Sequence, residues 1–175
     1  MREHQVGFNE LKWLFPIAIT LHNLEEAIWL PAWSNNAGKW HHPVTPIAFR
    51  FAVTVLTVLA FMVTIWSATG GPESVGTYLL TGYALGMLLN VVLPHLVATI
   101  ALRSYMPGLV TAILLNLPVT VLLLISAFSE GFVSFPTFAY YGVFVCFGLV
   151  GSIPLLFIMG EKLMGLSLCI KDRIR

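Results

Sequence analysis

The chain has 175 residues, of which 58% are hydrophobic and 10% charged, and its formal net charge is +1. Its mean hydropathy is +0.87, whereas soluble domains carry roughly 25% charged residues. This composition excludes a soluble globular protein and predicts an integral membrane protein surrounded by the lipid bilayer. The near-neutral charge, with no basic stripe of interleaved aromatics, excludes nucleic acid as a partner.

Five apolar segments, bounded by Gly, Pro and charged residues, are long enough to cross a bilayer, which takes about 20 residues per helix. They cover residues 11–30, 46–68, 74–102, 107–128 and 136–160. The sequence therefore predicts an all-α fold, a polytopic membrane helix bundle of about five transmembrane helices. Residues 1–175 are expected to form a single transmembrane helical domain.

Basic residues predict the orientation, because Lys and Arg accumulate in cytoplasmic loops. With five spans the termini lie on opposite sides, and the side of the N-terminus would hold Arg2 and Lys12. The other side would hold Lys39, Arg50, Arg103, Lys162, Lys171, Arg173 and Arg175. We therefore expect the N-terminus outside and the C-terminus in the cytoplasm, with the plasma membrane as the location.

The first segment contains the stretch LHNLEEAIW, residues 21–29, which places three ionisable side chains at hydrocarbon depth. His22 precedes Glu25 by three positions and Glu26 by four, so the three side chains occupy an arc of about 100° on a helix. An ionisable group at this depth is costly unless it is paired. These side chains are therefore expected to face other helices and not lipid.

The third segment carries polar residues at a similar depth, Asn90 and His95. Gly82 and Gly86 precede Asn90 at intervals of four, a spacing that permits close helix packing. Pro94 cannot donate to the carbonyl of Asn90, so a kink is expected beside His95. On an ideal helix Asn90 and His95 would lie about 140° apart. Whether they share one cavity depends on the kink.

These residues resemble a known family. HNLEE fits the pattern of the HXXEE family of small integral membrane proteins, and NVVLPHLVATIALRSYMPG resembles its second region, an Asn and a His followed by Arg-x-Tyr-x-Pro-Gly. The resemblance covers roughly residues 11–118. It implies characteristic positions at His22, Glu25, Glu26, Asn90, His95, Arg103, Tyr105, Pro107 and Gly108. It implies no reaction, because the function of the family is not established.

The chemistry of these side chains favours a membrane-embedded metal site, with His22, Glu25, Glu26 and His95 as candidate ligands. Two histidines and a carboxylate with an open position are typical of catalytic zinc, and the same donors accept iron or manganese. A carboxylate beside the ion can act as general base, which makes Glu25 and Glu26 candidate catalytic residues. Asn90 is a third candidate, because an amide can stabilise an oxyanion. We predict a metal-assisted hydrolase or hydratase acting on a lipid-like or apolar substrate.

Three more polar residues are candidates for substrate binding: Arg103, Tyr105 and Asn116. Arg103 and Tyr105 also suit the role of interfacial anchors. Asn116 also suits a partner for the backbone group that Pro118 leaves free.

Three other interpretations stay open on the sequence. In a metal-free hydrolase Glu25 or Glu26 would activate water while Asn90 and His95 stabilise an oxyanion, similar in residue types to the glutamate intramembrane proteases. In a small transporter or a proton or metal-ion relay the same residues would bind the transported proton, ion or molecule. A homo-oligomer would then compensate for the small number of spans. The third is a buried network that only fixes helix packing.

An enzyme is favoured over a conduit because the polar layer lies on one side of the membrane. The residues that could extend it outward are Thr20, Thr54, Thr57 and Tyr83.

Overall fold

The computed structural model describes residues 6–38 and 42–174, with the side chains of residue 164 and residues 166–174 left aside. The helices are α1 (Phe8–Ser34), α2 (Pro46–Gly70), α3 (Val75–Asn90), α4 (Val97–Leu102), α5 (Leu109–Thr111), α6 (Leu117–Ser129) and α7 (Phe135–Ile174). Two π-helical segments continue them: Val91–Leu96 joins α3 to α4, and Ala112–Asn116 joins α5 to α6. These described ranges contain no strand, which confirms the all-α prediction.

Four helical rods in the described part of the chain are long and apolar enough to cross a membrane: Pro46–Gly70, Val75–Leu102, Leu109–Ser129 and Phe135–Leu163. The remaining long helix, α1, has 27 residues, which is about 40 Å of helix. It is less apolar than the four because polar side chains interrupt it at residues 22–26. The protein is therefore a helical membrane protein. Its orientation stays a prediction, and Arg2, Lys39 and Arg175, on which that prediction partly depends, lie outside the described residues.

Helix α1 is longer at both ends than the expected range 11–30, and two further boundaries differ for reasons that the sequence explains. The helix predicted from residue 107 begins at Leu109, because Gly108 has a positive φ of 94° that a regular helix does not accept. The last helix does not end at Gly160 but continues to Ile174. A single glycine weakens a helix without ending it, and the residues that follow Gly160 are mostly good helix formers.

The rod formed by α3 and α4 is kinked beside Pro94, as expected. Leu93 departs from helical geometry, with φ −118° and ψ 107°. The kink redirects the side chains that follow it, so the ring of His95 is fully buried in the bundle. It lies against α1, the helix that Asn90 also contacts.

Two clusters of buried apolar side chains lie on either side of the polar layer of α1. We call them the first and second apolar clusters. The first includes Phe8, Phe15, Ile19, Leu80, Tyr83 and Leu123. The second includes Leu30, Phe49, Val53, Ala98 and Met106. Residues 22–26 follow Ile19 and precede Leu30 in α1, so packed apolar side chains bound the polar layer at both ends.

Glycines bring α3 close to its neighbours. A Cβ on Gly82 would lie 2.7 Å from the Cβ of Val145 in α7, and one on Gly76 would lie 2.5 Å from the carbonyl carbon of Trp66 in α2. Gly86 also faces α7. The close packing expected from the spacing of Gly82 and Gly86 is therefore confirmed, and it forms between α3 and α7.

Candidate functional site

Three side chains from α1 and the first π-helical segment converge at the centre of the polar layer. The Oε1 atom of Glu26 lies 3.7 Å from Nε2 of His22 and 3.1 Å from Nε2 of His95. The two imidazole rings meet edge to face, with their centroids 4.9 Å apart. We call His22, Glu26 and His95 the donor group. Each of them offers one ligand atom, and these atoms lie within 4.8 Å of one another.

The donor group is enclosed. His22 and His95 are fully buried, and the side chain of Glu26 is 12% exposed. Neither ring nitrogen of His95 has a hydrogen-bond partner among the described residues. Its Nε2 lies 3.1 Å from Oε1 of Glu26, a distance that fits an ion pair, but the contact is not a hydrogen bond. Buried polar atoms are costly without partners, so His95 is suited to binding a further group.

Gly108 leaves the space beside the donor group. A Cβ at this position would lie 2.5 Å from Cε1 of His95 and 3.0 Å from both Cγ of Glu26 and Cε1 of His22. The φ of Gly108, 94°, is also one that L side chains rarely adopt. Both the backbone conformation and the close contacts therefore require glycine at position 108, where the chain packs directly against all three members of the donor group.

Glu25 lies apart from the donor group. Its Oε1 accepts hydrogen bonds from the Tyr105 hydroxyl and from the N–H of Gly108 at 3.0 Å. Its Oε2 accepts from the N–H and the hydroxyl of Thr111, at 3.2 and 2.6 Å. On the sequence alone Glu25 and Glu26 were equivalent candidate ligands and bases, but in the structure they have different neighbours. Four donors occupy the oxygens of Glu25, while Glu26 alone lies between the two histidines.

Thr111 connects Glu25 to the donor group and was not singled out in the sequence. Its Oγ1 lies 3.0 Å from Nδ1 of His22 and 2.6 Å from Oε2 of Glu25. A threonine next to a proline and glycine loop carries no sequence signal of its own. Its position one turn after Gly108, a residue of the second family region, is the feature that could have identified it.

Asn90 and His95 both adjoin His22, so the kink brings them into one site. The amide nitrogen of Asn90 lies 3.3 Å from Nε2 of His22. The ring of His95 lies on the same imidazole and reaches Glu26. The nominal separation of Asn90 and His95 on an ideal helix is overcome because the backbone leaves helical geometry at Leu93.

The three candidate substrate-binding residues lie in different surroundings. Tyr105 is 47% exposed and Arg103 is exposed. Partial burial and the hydrogen bond to Glu25 raise the pKa of Tyr105 to about 12, so the phenol keeps its proton and acts as a donor. Asn116 is fully buried, and its amide has no hydrogen-bond partner among the described residues. The alternative in which the Asn116 amide pairs with freed backbone is therefore wrong. The backbone carbonyl of Asn116 instead accepts a hydrogen bond from the hydroxyl of Thr120 at 2.5 Å.

The hydroxyls that could extend the polar layer outward are mostly held by backbone. Thr20, Thr57 and Tyr83 donate to the carbonyls of Pro16, Val53 and Leu56. Thr54 is exposed on the outside of the bundle. Buried hydroxyls farther along the bundle, those of Thr64, Thr77 and Thr81, also donate to backbone carbonyls, and the apolar side chains that follow His22 on this side belong to the first apolar cluster.

The spacing of the donor group suits a single metal ion. Ligands of tetrahedral zinc at about 2.0–2.1 Å lie about 3.3 Å from one another. The separations from Glu26 to the two histidines, 3.1 and 3.7 Å, bracket that value. The Nε2 of His95, which makes no hydrogen bond among the described residues, accords with an ion bound here.

Comparisons with known proteins agree with the motif. The profile of a family described as "Protein of unknown function with HXXEE motif" matches residues 13–123, which include the donor group, Glu25 and Thr111. The chain is 41% identical over 152 residues to "Uncharacterized protein YrkK" of Bacillus subtilis (strain 168), covering 85% of this chain and 94% of that protein. No solved structure matches significantly. With HNLEE on α1 and the second motif beside it in space, the chain belongs to the HXXEE family.

Proposed function

We propose that this protein is a membrane-embedded, metal-assisted enzyme of the hydrolase or hydratase type, which acts on a lipid-like or other apolar substrate in the plasma membrane. One observation carries the proposal. Two histidines and one carboxylate offer ligand atoms within 4.8 Å of one another in a buried site. This is the ligand set of a catalytic zinc site that keeps a position open for substrate.

The ion would be divalent, with zinc favoured and iron or manganese also suited to these donors. Such an ion supplies Lewis acidity, which polarises a carbonyl or lowers the pKa of water.

The side chains around the donor group suggest how the work is divided. When water adds to a substrate carbon it must lose a proton, and Glu26, which would hold the ion through Oε1, would accept that proton on its other carboxylate oxygen. Glu25 is poorly suited to that role because four donors already occupy its oxygens. The amide of Asn90 lies beside His22, and in this proposal it would donate to an oxygen on which negative charge develops.

An apolar substrate accords with the surroundings of the site. Four helical rods of the described protein are long and apolar enough to lie in the hydrocarbon of the bilayer. A groove of about 350 Å³, lined by Leu93, Pro94, Val97 and Ala98, lies on the outer side of the segment that carries His95. A polar end of such a substrate would find donors at Arg103 and the amide of Asn116, and an acceptor at the hydroxyl oxygen of Tyr105, whose hydrogen is donated to Glu25.

The limited extent of the polar layer favours an enzyme over a conduit. A relay needs polar groups that continue across the membrane. Beyond His22 the first apolar cluster fills the interior with Phe15, Ile19 and Leu80, all fully buried.

Metal analysis of the purified protein tests the proposal. Protein in detergent micelles, equilibrated with zinc chloride and washed, should retain about one ion per chain. His22→Ala and His95→Ala should each reduce the bound zinc strongly, since each removes a ligand. His42→Ala is the matched control, because this histidine is exposed and lies outside the donor group.

Other outcomes identify the alternatives. Zinc retention unaffected by His22→Ala and His95→Ala would contradict the site. Turnover in metal-free protein that depends on Glu26 would indicate a metal-free glutamate hydrolase. Ion flux into vesicles that depends on Glu26, without turnover of lipid, would indicate a transporter or relay. If Glu26→Gln changes only the thermal stability, the network is structural.

A further inference from the structure

The hydrogen positions around Thr111 can be deduced from the chemistry of its partners. A hydroxyl has one hydrogen to donate, and Oγ1 of Thr111 lies 2.6 Å from Oε2 of Glu25 and 3.0 Å from Nδ1 of His22. Glu25 accepts N–H groups on both oxygens, from Gly108 and from Thr111, so its carboxylate acts as an acceptor. The Thr111 hydrogen therefore points to Glu25.

The alternative acceptor for that hydrogen leads to the same result. The carbonyl of Gly108 lies 3.2 Å from Oγ1 of Thr111, a longer contact to an uncharged oxygen. Whether Thr111 donates to Glu25 or to Gly108, it has no second hydrogen for His22. The contact between Oγ1 and Nδ1 must then be donated by the imidazole.

We propose that Thr111 and Glu25 are positioning residues that hold His22 with its proton on Nδ1, so that the lone pair of Nε2, which lies on the side of Glu26 and His95, is available to a metal ion. The contact on the other nitrogen agrees. Nε2 lies 3.3 Å from the amide nitrogen of Asn90, which is a donor and so needs an acceptor. The contacts with Thr111 and Asn90 specify the same tautomer, and the imidazole also makes a hydrogen bond with the backbone of Gly108.

This assignment rests on the proposed metal site for its purpose. Metal-binding histidines commonly donate their other N–H to an oxygen that fixes the tautomer, and loss of that partner lowers metal affinity by about 10–100-fold. Here the oxygen belongs to Thr111, and Glu25 orients it in turn. The second glutamate of the motif then serves the site without being a ligand.

Nitrogen NMR of histidine-labelled protein tests the tautomer without any metal. In chelator-treated protein, with the His22 signals assigned through His22→Gln, we expect the proton on Nδ1 and a bare Nε2. Thr111→Ser should keep this pattern, because serine retains the hydroxyl. Thr111→Val, which has nearly the same shape, should give a mixture of tautomers or the proton on Nε2. Asn90→Leu should leave Nδ1 protonated, because Thr111 is still present.

Zinc titration of the same samples separates this proposal from the metal site. Thr111→Val should bind zinc about 10–100-fold more weakly and Thr111→Ser about as well as the unmodified protein. A proton on Nε2 in the unmodified protein would overturn the assignment, with no variant needed. So would a Thr111→Val spectrum identical to that of the unmodified protein. The expected tautomer in a protein that takes up no divalent ion would support the assignment and overturn the metal site.

Discussion

At the scale of single residues, adjacent glutamates of one motif serve different neighbours. Glu26 lies four positions after His22 and approaches the same imidazole nitrogen that faces Asn90. Glu25 turns toward the segment 105–111 and accepts hydrogen bonds there. The two carboxylates differ in direction because consecutive helix residues point about 100° apart. Substitution of Glu25 and substitution of Glu26 are therefore expected to affect the site in different ways.

Gly108 gives a sharp test at this scale. Gly108→Ala should lower zinc retention severely, because the added Cβ would meet His95 at 2.5 Å and Glu26 and His22 at 3.0 Å. It should also lower the free energy of unfolding by at least about 1–2 kcal/mol, the cost of an L residue at positive φ. Metal analysis and thermal unfolding measure the two effects.

Gly131→Ala is the matched control for Gly108→Ala. Gly131 also has a positive φ, 72°, but a Cβ there would meet nothing within 4 Å. It should show the backbone cost alone, with zinc retention unchanged. Equal loss of zinc in both variants would show that general destabilisation, and not crowding of the donor group, is the cause.

The residues of the site were only partly predictable. Helical spacing grouped His22 with the two glutamates, because that relation is local in the chain. Thr111 was missed because its contact with Glu25 joins residues 86 positions apart. The amide of Asn116 was expected to pair with nearby backbone, and burial without a partner has no signal in the sequence.

At the scale of elements, breaks in helices bring the site together. Leu93 interrupts the rod between α3 and α4, and the left-handed residues Arg103 and Gly108 flank the loop before α5. Pro94 predicted the kink because proline cannot donate its nitrogen to the helix. The direction that the chain takes afterwards depends on packing against α1, so the convergence of Asn90 and His95 could not be read from their spacing.

The contact between α3 and α7 gives the prediction at this scale. Gly82→Ala should lower the free energy of unfolding by about 1–3 kcal/mol, because the added methyl overpacks the interface. The crowding falls on Val145, whose Cβ would lie 2.7 Å away. Thermal unfolding in detergent measures the change.

Gly148→Ala serves as the control for Gly82→Ala. It lies in α7 with nothing within 4 Å of an added Cβ, so its stability should stay the same or rise slightly. Equal destabilisation of both variants would contradict the packing explanation, and it would also point to a contact at Gly148 with a second copy of the chain.

At the scale of the whole molecule, composition alone was sufficient for the class of protein. Four long apolar rods confirm the helical membrane bundle in the described residues. The end of α7 was not predictable in the same way, because Gly160 resembles a stop signal and yet packs against Ala48 of α2, its Cβ position 2.6 Å from Cα. This contact and the helix-forming residues that follow Gly160 together outweigh the helix-breaking tendency of the glycine.

The orientation is the prediction that belongs to this scale. Alkaline phosphatase fused after residue 175 should be inactive and a fluorescent protein fused there should fluoresce, because basic residues keep the C-terminus in the cytoplasm. The same reporters placed before residue 1 should give the reverse pattern. Active phosphatase at the C-terminus would contradict the orientation and place the donor group toward the outer leaflet.

The first apolar cluster has a kinetic consequence. Phe15 and Leu80 are fully buried on the side of the donor group beyond His22, and a route past them would have to displace packed apolar side chains. In the proposed enzyme, a molecule that reaches Glu26 would therefore leave by the path by which it entered. A bulky product would then block the binding of the next substrate molecule, so that product release, and not bond breaking, would limit the rate of turnover.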